Sequence, residues 1–180
     1  MDLFPMNSTL MRRLLGETAA PASLTIRPAQ NDDIDLILEM HQRLSDDSLY
    51  NRYHIARIPS RKEIERIIDL EGENGRVMVA AILGAKPKIV GLAYYVVTGQ
   101  DTAETAFLVE DMYQGQGIGG WLMEALTRSA ATQEICFFDA RVLPSNQPMI
   151  HLLHRSGQLV YKKKDYGAFE MRLDICAVSG

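Results

Sequence analysis

Cysteine is almost missing from this chain: two of its 180 residues, Cys136 and Cys176, are all there is. They make no metal-ligand spacing, and the scarcity suggests a reducing cytoplasm. No apolar run approaches the ~20 residues of a membrane-spanning helix, so no membrane partner is expected. The N-terminus has Asp2 early and lacks a basic region followed by an apolar stretch, which predicts no export. An excess of positive charge is also missing. The net charge of −4 gives no electrostatic reason to expect nucleic acid, and the clustered Lys162, Lys163 and Lys164 read as a solvated strand end. There are no internal repeats and no linker that would split domains. The chain therefore reads as one domain, long enough to bury its own core. Its 47% apolar and 23% charged residues are those of a soluble globular protein.

What the chain does have is a concentration of glycine at one junction. Residues 103–110 are apolar and β-prone. Beyond the junction Ile118, Trp121, Leu122, Ala125, Leu126 and Ser129 share one face of an amphipathic helix. Between them lie Gly115, Gly117, Gly119 and Gly120. Glycines here remove Cβ atoms where an oligophosphate needs close approach. The helix N-terminus leaves backbone N–H groups unpaired where the dipole favours an anion. A diphosphate-bearing cofactor follows. Gly115-x-Gly117-x-x-Gly120 also matches the dinucleotide fingerprint, with Asp139 roughly 20 residues on, where its ribose carboxylate is expected. Context opposes that reading. Residues 111–114 separate strand from glycine, the preceding segments look like consecutive strands, and too little chain follows for a second mononucleotide half. A turn that merely caps a helix needs one glycine, not four.

Residues 1–22 read as a loosely attached arm, with one helical turn near Leu10 to Leu15, ahead of a domain spanning 23–176. Leu24 to Arg27 form a short strand stopped by Pro28. Asn31 caps a helix that turns Ile34, Ile37, Leu38, His41 and Leu44 inward. Residues 45–48 interrupt, and 49–56 form a second short helix bearing Tyr50, Arg52 and Tyr53. Ser60-x-x-Glu63 is a capping box for a third. The period then changes. Residues 76–83, 88–97 and 103–110 are strands joined by short turns, which predicts antiparallel pairing. After the Gly-rich helix come a strand over 134–142, a helix from Pro144-Ser145-Asn146 to Gly157, and strands over 159–164 and 167–174. The order is βαααβββαβαββ.

These residues carry a resemblance. The strand–Gln114-x-Gln116-Gly117-x-Gly119–helix unit resembles the acyl-CoA-binding motif Q/R-x-x-G-x-G/A of the GNAT superfamily of N-acetyltransferases, matched in full by Gln114, Gly117 and Gly119. Asn146-x-x-Met149, with Gly157 ending the helix, is similar to that superfamily's second cofactor segment. Upstream, Ile26-Arg27-Pro28 and Leu44-Ser45-x-x-Ser48-Leu49-Tyr50-x-Arg52-Tyr53 are similar to the acetyltransferase domain of bacterial protein-lysine acetyltransferases. The likeness covers about 24–175. The chain departs from the long forms of those enzymes in having neither a CoA-ligase-like region nor room for a nucleotide-sensing domain. The resemblance implies an α+β (mixed α/β) GNAT acyl-CoA N-acyltransferase fold, with a central mixed, mostly antiparallel sheet of about seven strands flanked by helices. It also implies acetyl-CoA as cofactor, with no metal.

The resemblance assigns roles as well. The strand before the Gly-rich turn would splay from its neighbour through a bulge, and the pantetheine arm would bond backbone groups near Leu108 and Val109. The Val109 N–H would stabilise the tetrahedral oxyanion. Gln114, Gly115, Gln116, Gly117, Ile118 and Gly119 would bind the pyrophosphate, with Gly120 in the first helical turn. Asn146 and Met149 would face the arm, although an N-cap alone explains an asparagine. Glu104 is the general base by its match to the similar lysine acetyltransferases, with Glu110 and Asp111 as alternatives, since a bulge would break strand alternation. Where many GNAT enzymes place a tyrosine acid stands Leu153, followed by His154. A thiolate is a tolerable leaving group, so the favoured expectation is no dedicated acid, with His154 or a tyrosine from elsewhere as alternatives. His151 and His154 lack a third metal ligand. Asp46, Asp47, Tyr50 and Tyr53 would line an opening for a cationic amine, unless the tyrosines are core and the aspartates only start a helix. The implied activity is acetyl-CoA-dependent transfer to a primary amine, foremost a protein lysine. Small-molecule amines, a non-catalytic acyl-CoA-binding module and a dinucleotide enzyme stand behind it.

Overall fold

The computed structural model describes residues 24–72 and 74–177. The expected N-terminal arm lies outside them. Seven strands form one sheet: β1 (Leu24–Pro28), β2 (Gly75–Ile82), β3 (Lys88–Val97), β4 (Thr102–Val109), β5 (Phe137–Val142), β6 (Gln158–Asp165) and β7 (Ala168–Asp174). Their spatial order is β1-β2-β3-β4-β5-β7-β6. Every neighbouring pair is antiparallel except β4–β5. Five α-helices accompany them among the described residues: α1 (Ile34–Gln42), α2 (Asp46–Tyr53), α3 (Arg61–Ile68), α4 (Ile118–Ala131) and α5 (Gln147–Ser156).

The sheet has a core on each face. On one side Leu122 and Leu126 of α4 and Leu153 of α5 pack with Tyr95, Phe138 and Leu173. On the other Ile37 and Met40 of α1 and Ile64 of α3 pack with Val77, Val79 and Leu92. Strand residues alternate between these faces, which is why β2 from Val77 and β3 from Ile89 run apolar rather than alternating.

The main differences from the sequence expectation each have a local reason. Gln30, not Asn31, is the cap, because Asp33 accepts from the Gln30 N–H at 2.8 Å and residues 31–33 form a 3-10 turn leading into α1. The second helix runs over Asp46–Tyr53 rather than 49–56, because Ser45 is its N-cap and accepts from the Ser48 N–H at 3.2 Å. Asp46 and Asp47 then sit in the first turn, where the dipole favours them, and His54 at φ 58° ends the helix. β5 begins at Phe137 rather than at Glu134. Glu134 takes φ 57°, and the Ile135 N–H turns back to the Ala130 carbonyl, so both belong to the exit from α4.

The two cysteines are joined as a disulfide, with Cα atoms 5.1 Å apart. Their separation of 40 residues carries no local signature. The register that sets Phe137 opposite Asp174 brings the residue before β5 beside the residues just after β7.

Candidate active site

β4 leads through a single 3-10 turn (Asp111–Tyr113) into the glycine segment and then α4. Gly115 and Gly117 take φ of 71° and 84°, a region costly for residues with a Cβ. This wraps the chain so that the N–H groups from Gly115 to Gly120 find no acceptor among the described residues; the first amide of the series to close a helical bond is Trp121, to the Gly117 carbonyl. The indole N–H of Trp121, in the same turn, is buried without a partner among the described residues. A row of free amides at a helix N-terminus is an anion site by geometry and by dipole.

Side chains hold this turn in place from a distance. Asp111 accepts from the Ser45 N–H (3.0 Å), Ser45 Oγ (2.7 Å) and Ser48 Oγ (2.8 Å). Burial works against its negative charge, yet these bonds keep its carboxyl below the ordinary range. The Gln114 side-chain amide donates to Ser48 Oγ (3.1 Å) and to the Val109 carbonyl (3.0 Å). Gln116 donates back to Met112. The N-terminus of α2 is thus bolted to the turn, with Ser45 capping the helix and binding Asp111 at once.

Beside the turn the sheet opens. β4 and β5 pair only over Thr102–Glu104 and Phe137–Asp139, while on their outer edges β4 stays paired with β3 and β5 with β7. The expected bulge is not what opens it: the β3–β4 register runs without a shift from Ala103 to Val109. The Glu110 N–H bonds the Val90 carbonyl at 2.9 Å, so by antiparallel alternation the polar groups of Leu108 and Ala106 face β3, and those of Phe107 and Val109 face the opening. Leu108 is therefore a core residue with its backbone engaged, and Phe107 with Val109 presents peptide groups to the gap. The Val109 carbonyl is already taken by Gln114.

The gap is part of a cavity of about 450 Å³. Ala106, Phe107, Ala140, Val142, Asn146 and Met149 line its walls, and Glu104 stands where β4 and β5 part. Asn146 caps α5 by accepting from the Met149 N–H at 3.2 Å. Unbroken alternation puts Glu104 on the face of Ala106 and Tyr94. Its carboxylate is exposed and has no hydrogen-bond or ionic partner among the described residues. The two alternative acids are committed elsewhere. Glu110 is 2% exposed and paired with Arg43 (3.0 Å) and Lys88 (3.9 Å), and Asp111 holds the serines. Leu153 is fully buried, while His151 and His154 are exposed on α5.

The residues expected at the acceptor side divide. Asp46 and Tyr50, four apart on the outer face of α2, are exposed and do not line the cavity. Tyr53 does line it. The tautomer of the buried His41 is set by its neighbours: Nδ1 lies 2.7 Å from the Ile37 carbonyl, which only accepts, so Nε2 accepts from the Tyr53 hydroxyl at 2.7 Å. Burial pushes the Tyr53 hydroxyl up to about 12 and pulls the His41 imidazole down. Among the lining residues Arg52, Tyr94 and Arg141 were not singled out for the site from sequence. Arg52 stands within the upstream motif without a role there, and no local pattern marks Tyr94 and Arg141, which lie on strands far from α2 in the chain.

The sequence profile of the acetyltransferase (GNAT) family matches residues 38–157. This chain belongs to that family. Over 152 residues it is 33% identical to acetyltransferase Pat of Mycolicibacterium smegmatis, covering 83% of this chain but 45% of that protein, so it spans about half the length of this relative. The GNAT domain of S. lividans PAT superposes with a TM-score of 0.75 at 26% identity, over 84% of this chain and 90% of that one. A phosphinothricin acetyltransferase from Sinorhizobium meliloti, solved in complex with acetyl-CoA, shares the GNAT fold at a TM-score of 0.69 and 20% identity, over 84% and 88%. The β4–turn–α4 unit described above lies inside the matched segment.

Proposed function

We propose that this protein is an acetyl-CoA-dependent N-acetyltransferase whose acceptor is a protein lysine. One observation carries the reading: β4, which parts from β5 beyond Glu104, leads directly into the turn that carries the row of free amides at Gly115–Gly120. The Sinorhizobium neighbour in its acetyl-CoA complex supports the choice of ligand.

Acetyl-CoA supplies the activated acetyl thioester, and this chain's residues bind it and move the proton. The Gly115–Gly120 amides take the diphosphate, and the peptide groups of Phe107 and Val109 take the pantetheine arm as an added strand beside β4. The Val109 N–H donates to the thioester oxygen. Glu104 accepts the ammonium proton, directly or through water, from an amine whose unperturbed pKa is ~10.4. The amine lone pair then forms the C–N bond, and as the C–S bond breaks the nitrogen gives its second proton to water. α5 supplies no acid near that sulfur's expected path, since Leu153 is core and His154 faces solvent. The thiolate leaves unaided.

A protein acceptor is supported by the likeness of 44–53 to protein-lysine acetyltransferases. It is also supported by Tyr50, Ile55 and Ile58, which expose apolar surface in and just after α2, the helix that lends Arg52 and Tyr53 to the cavity lining. Thiol release from acetyl-CoA over lysine peptides, polyamines and aminoglycosides tests both halves of the proposal. Release with lysine peptides is expected. Thermal stabilisation by acetyl-CoA with no release on any amine would show a binding module instead. The cradle has its own test. A Cβ at Gly117 meets only the Trp121 ring, at 3.9 Å, so Gly117→Ala strains the left-handed turn by about 1 kcal/mol without breaking the fold. Acetyl-CoA affinity by calorimetry should fall about tenfold or more.

A further inference from the structure

Four arginines of the described chain are half-buried: Arg27, Arg52, Arg76 and Arg172. Three have a carboxylate: Asp33 at 2.6 Å from Arg27, Glu71 beside Arg76, and Asp139 at 2.6 Å from Arg172. Arg52 has none within ion-pair reach among the described residues. A guanidinium drawn partly out of water without a counter-charge is a poor structural choice, and such groups are ordinarily paired. Arg52 is nevertheless held firmly. Its guanidinium carbon lies 4.8 Å from the Tyr53 ring centroid and 5.2 Å from that of Tyr94, and Nη2 donates to the Tyr94 hydroxyl. Two aromatic faces and one hydrogen bond fix a planar fork whose remaining N–H groups have no acceptor among the described residues. Its charge is felt locally: it acts to lower both the Tyr53 hydroxyl and the His41 imidazole.

Arg52 lines the same cavity as Glu104, which is likewise unpaired. An amine acceptor alone complements one of these charges and is repelled by the other. An acceptor with a carboxylate near its amine complements both. We infer that the acceptor carries a carboxylate beside the amine that is acetylated, and that Arg52 reads it. On the protein-lysine reading above, on which this inference rests, the carboxylate is an aspartate or glutamate next to the acceptor lysine. Arginine suits the task because its fork meets a carboxylate in two parallel bonds, and pre-stacking lowers the entropy lost in forming them.

The test compares two peptides that differ only in Glu or Gln beside a single lysine, with free lysine and lysinamide as a second pair. The readout is the ratio of kcat/KM within each pair, so a general loss of folded enzyme cancels. Wild type should favour the Glu peptide by about 10- to 100-fold, the worth of a charge-assisted bond. In Arg52→Met the ratio should fall to about one, and Arg52→Lys, which keeps the charge but not the fork, should fall between. A preference confined to free lysine over lysinamide, lost in Arg52→Met, would keep Arg52 as reader and assign the carboxylate to a free amino acid. Equal rates within both wild-type pairs, or a wild-type preference that survives in Arg52→Met, would overturn the inference. Fluorescence anisotropy of the labelled peptides with CoA present separates this from the activity itself. No thiol release with any amine would sink the acetyl-transfer proposal, whereas the Glu-to-Gln ratio of dissociation constants would still decide Arg52.

Discussion

Glu104→Gln should lower kcat by about 10²- to 10⁴-fold and leave the dissociation constant for acetyl-CoA nearly unchanged. The amide keeps the size and shape of the carboxylate and removes only its capacity to take a proton. Nothing in the fold depends on that charge, since Glu104 has no ionic or hydrogen-bond partner among the described residues and its side chain is exposed. Its place gives it the role. It is the last residue of β4 to pair with β5, through Asp139, so it stands at the foot of the opening rather than along its walls. Glu110 shares its parity on the strand but is buried in an ion pair at the other end. Steady-state rates over pH 6–9, with acetyl-CoA affinity measured by calorimetry on the same preparations, check the prediction. Wild-type turnover in the variant would remove Glu104 from the chemistry.

Much of this arrangement is written locally, and what is not local is what sequence reading misses. The glycine segment, the capping box at Ser60, the hairpin over β6 and β7 and the order of all elements follow from periodicity and turn chemistry over a few neighbouring residues. Ser45 caps a helix that the sequence alone does not show starting there, because residues 45–48 contain two serines and two aspartates and read equally as loop. The bulge in β4 comes with the resemblance alone, whereas here the opening begins where β4–β5 pairing stops, after Glu104 and Asp139, with the β3–β4 register unbroken. The links that fix the site join residues more than 60 positions apart: Asp111 to Ser48, Gln114 to Ser48, Arg43 to Glu110. No spacing rule reaches that far. The Arg52 stack fails to show for the same reason. Tyr53 is its neighbour in sequence, but Tyr94 comes from β3, and only the folded sheet brings the second ring over the guanidinium.

Arg43→Ala should destabilise the protein by about 3–5 kcal/mol, and Glu110→Gln should cost clearly less. The asymmetry follows from where the two charges lie. The Glu110 side chain is 2% exposed, whereas Arg43 and Lys88 are each 33% exposed. Removing Arg43 strands a buried carboxylate with one distant ammonium at 3.9 Å, and also takes the Nη2 donor from the Ile89 carbonyl at 2.9 Å. Removing the charge of Glu110 instead leaves two cations that water already reaches, so little desolvation goes uncompensated. Arg43→Met combined with Glu110→Leu should recover much of the loss, because apolar groups of similar volume fill the site without a charge to desolvate. Urea unfolding of the four proteins gives the comparison, and equal costs for the two single variants would contradict it. The anchor also bears on activity. Glu110 closes β4 and its N–H holds the Val90 carbonyl, so the residue that starts the turn toward Gly115 is pinned to β3. Acetyl-CoA affinity should therefore fall in Arg43→Ala, even at temperatures where the variant is fully folded, and recover in part in the apolar pair.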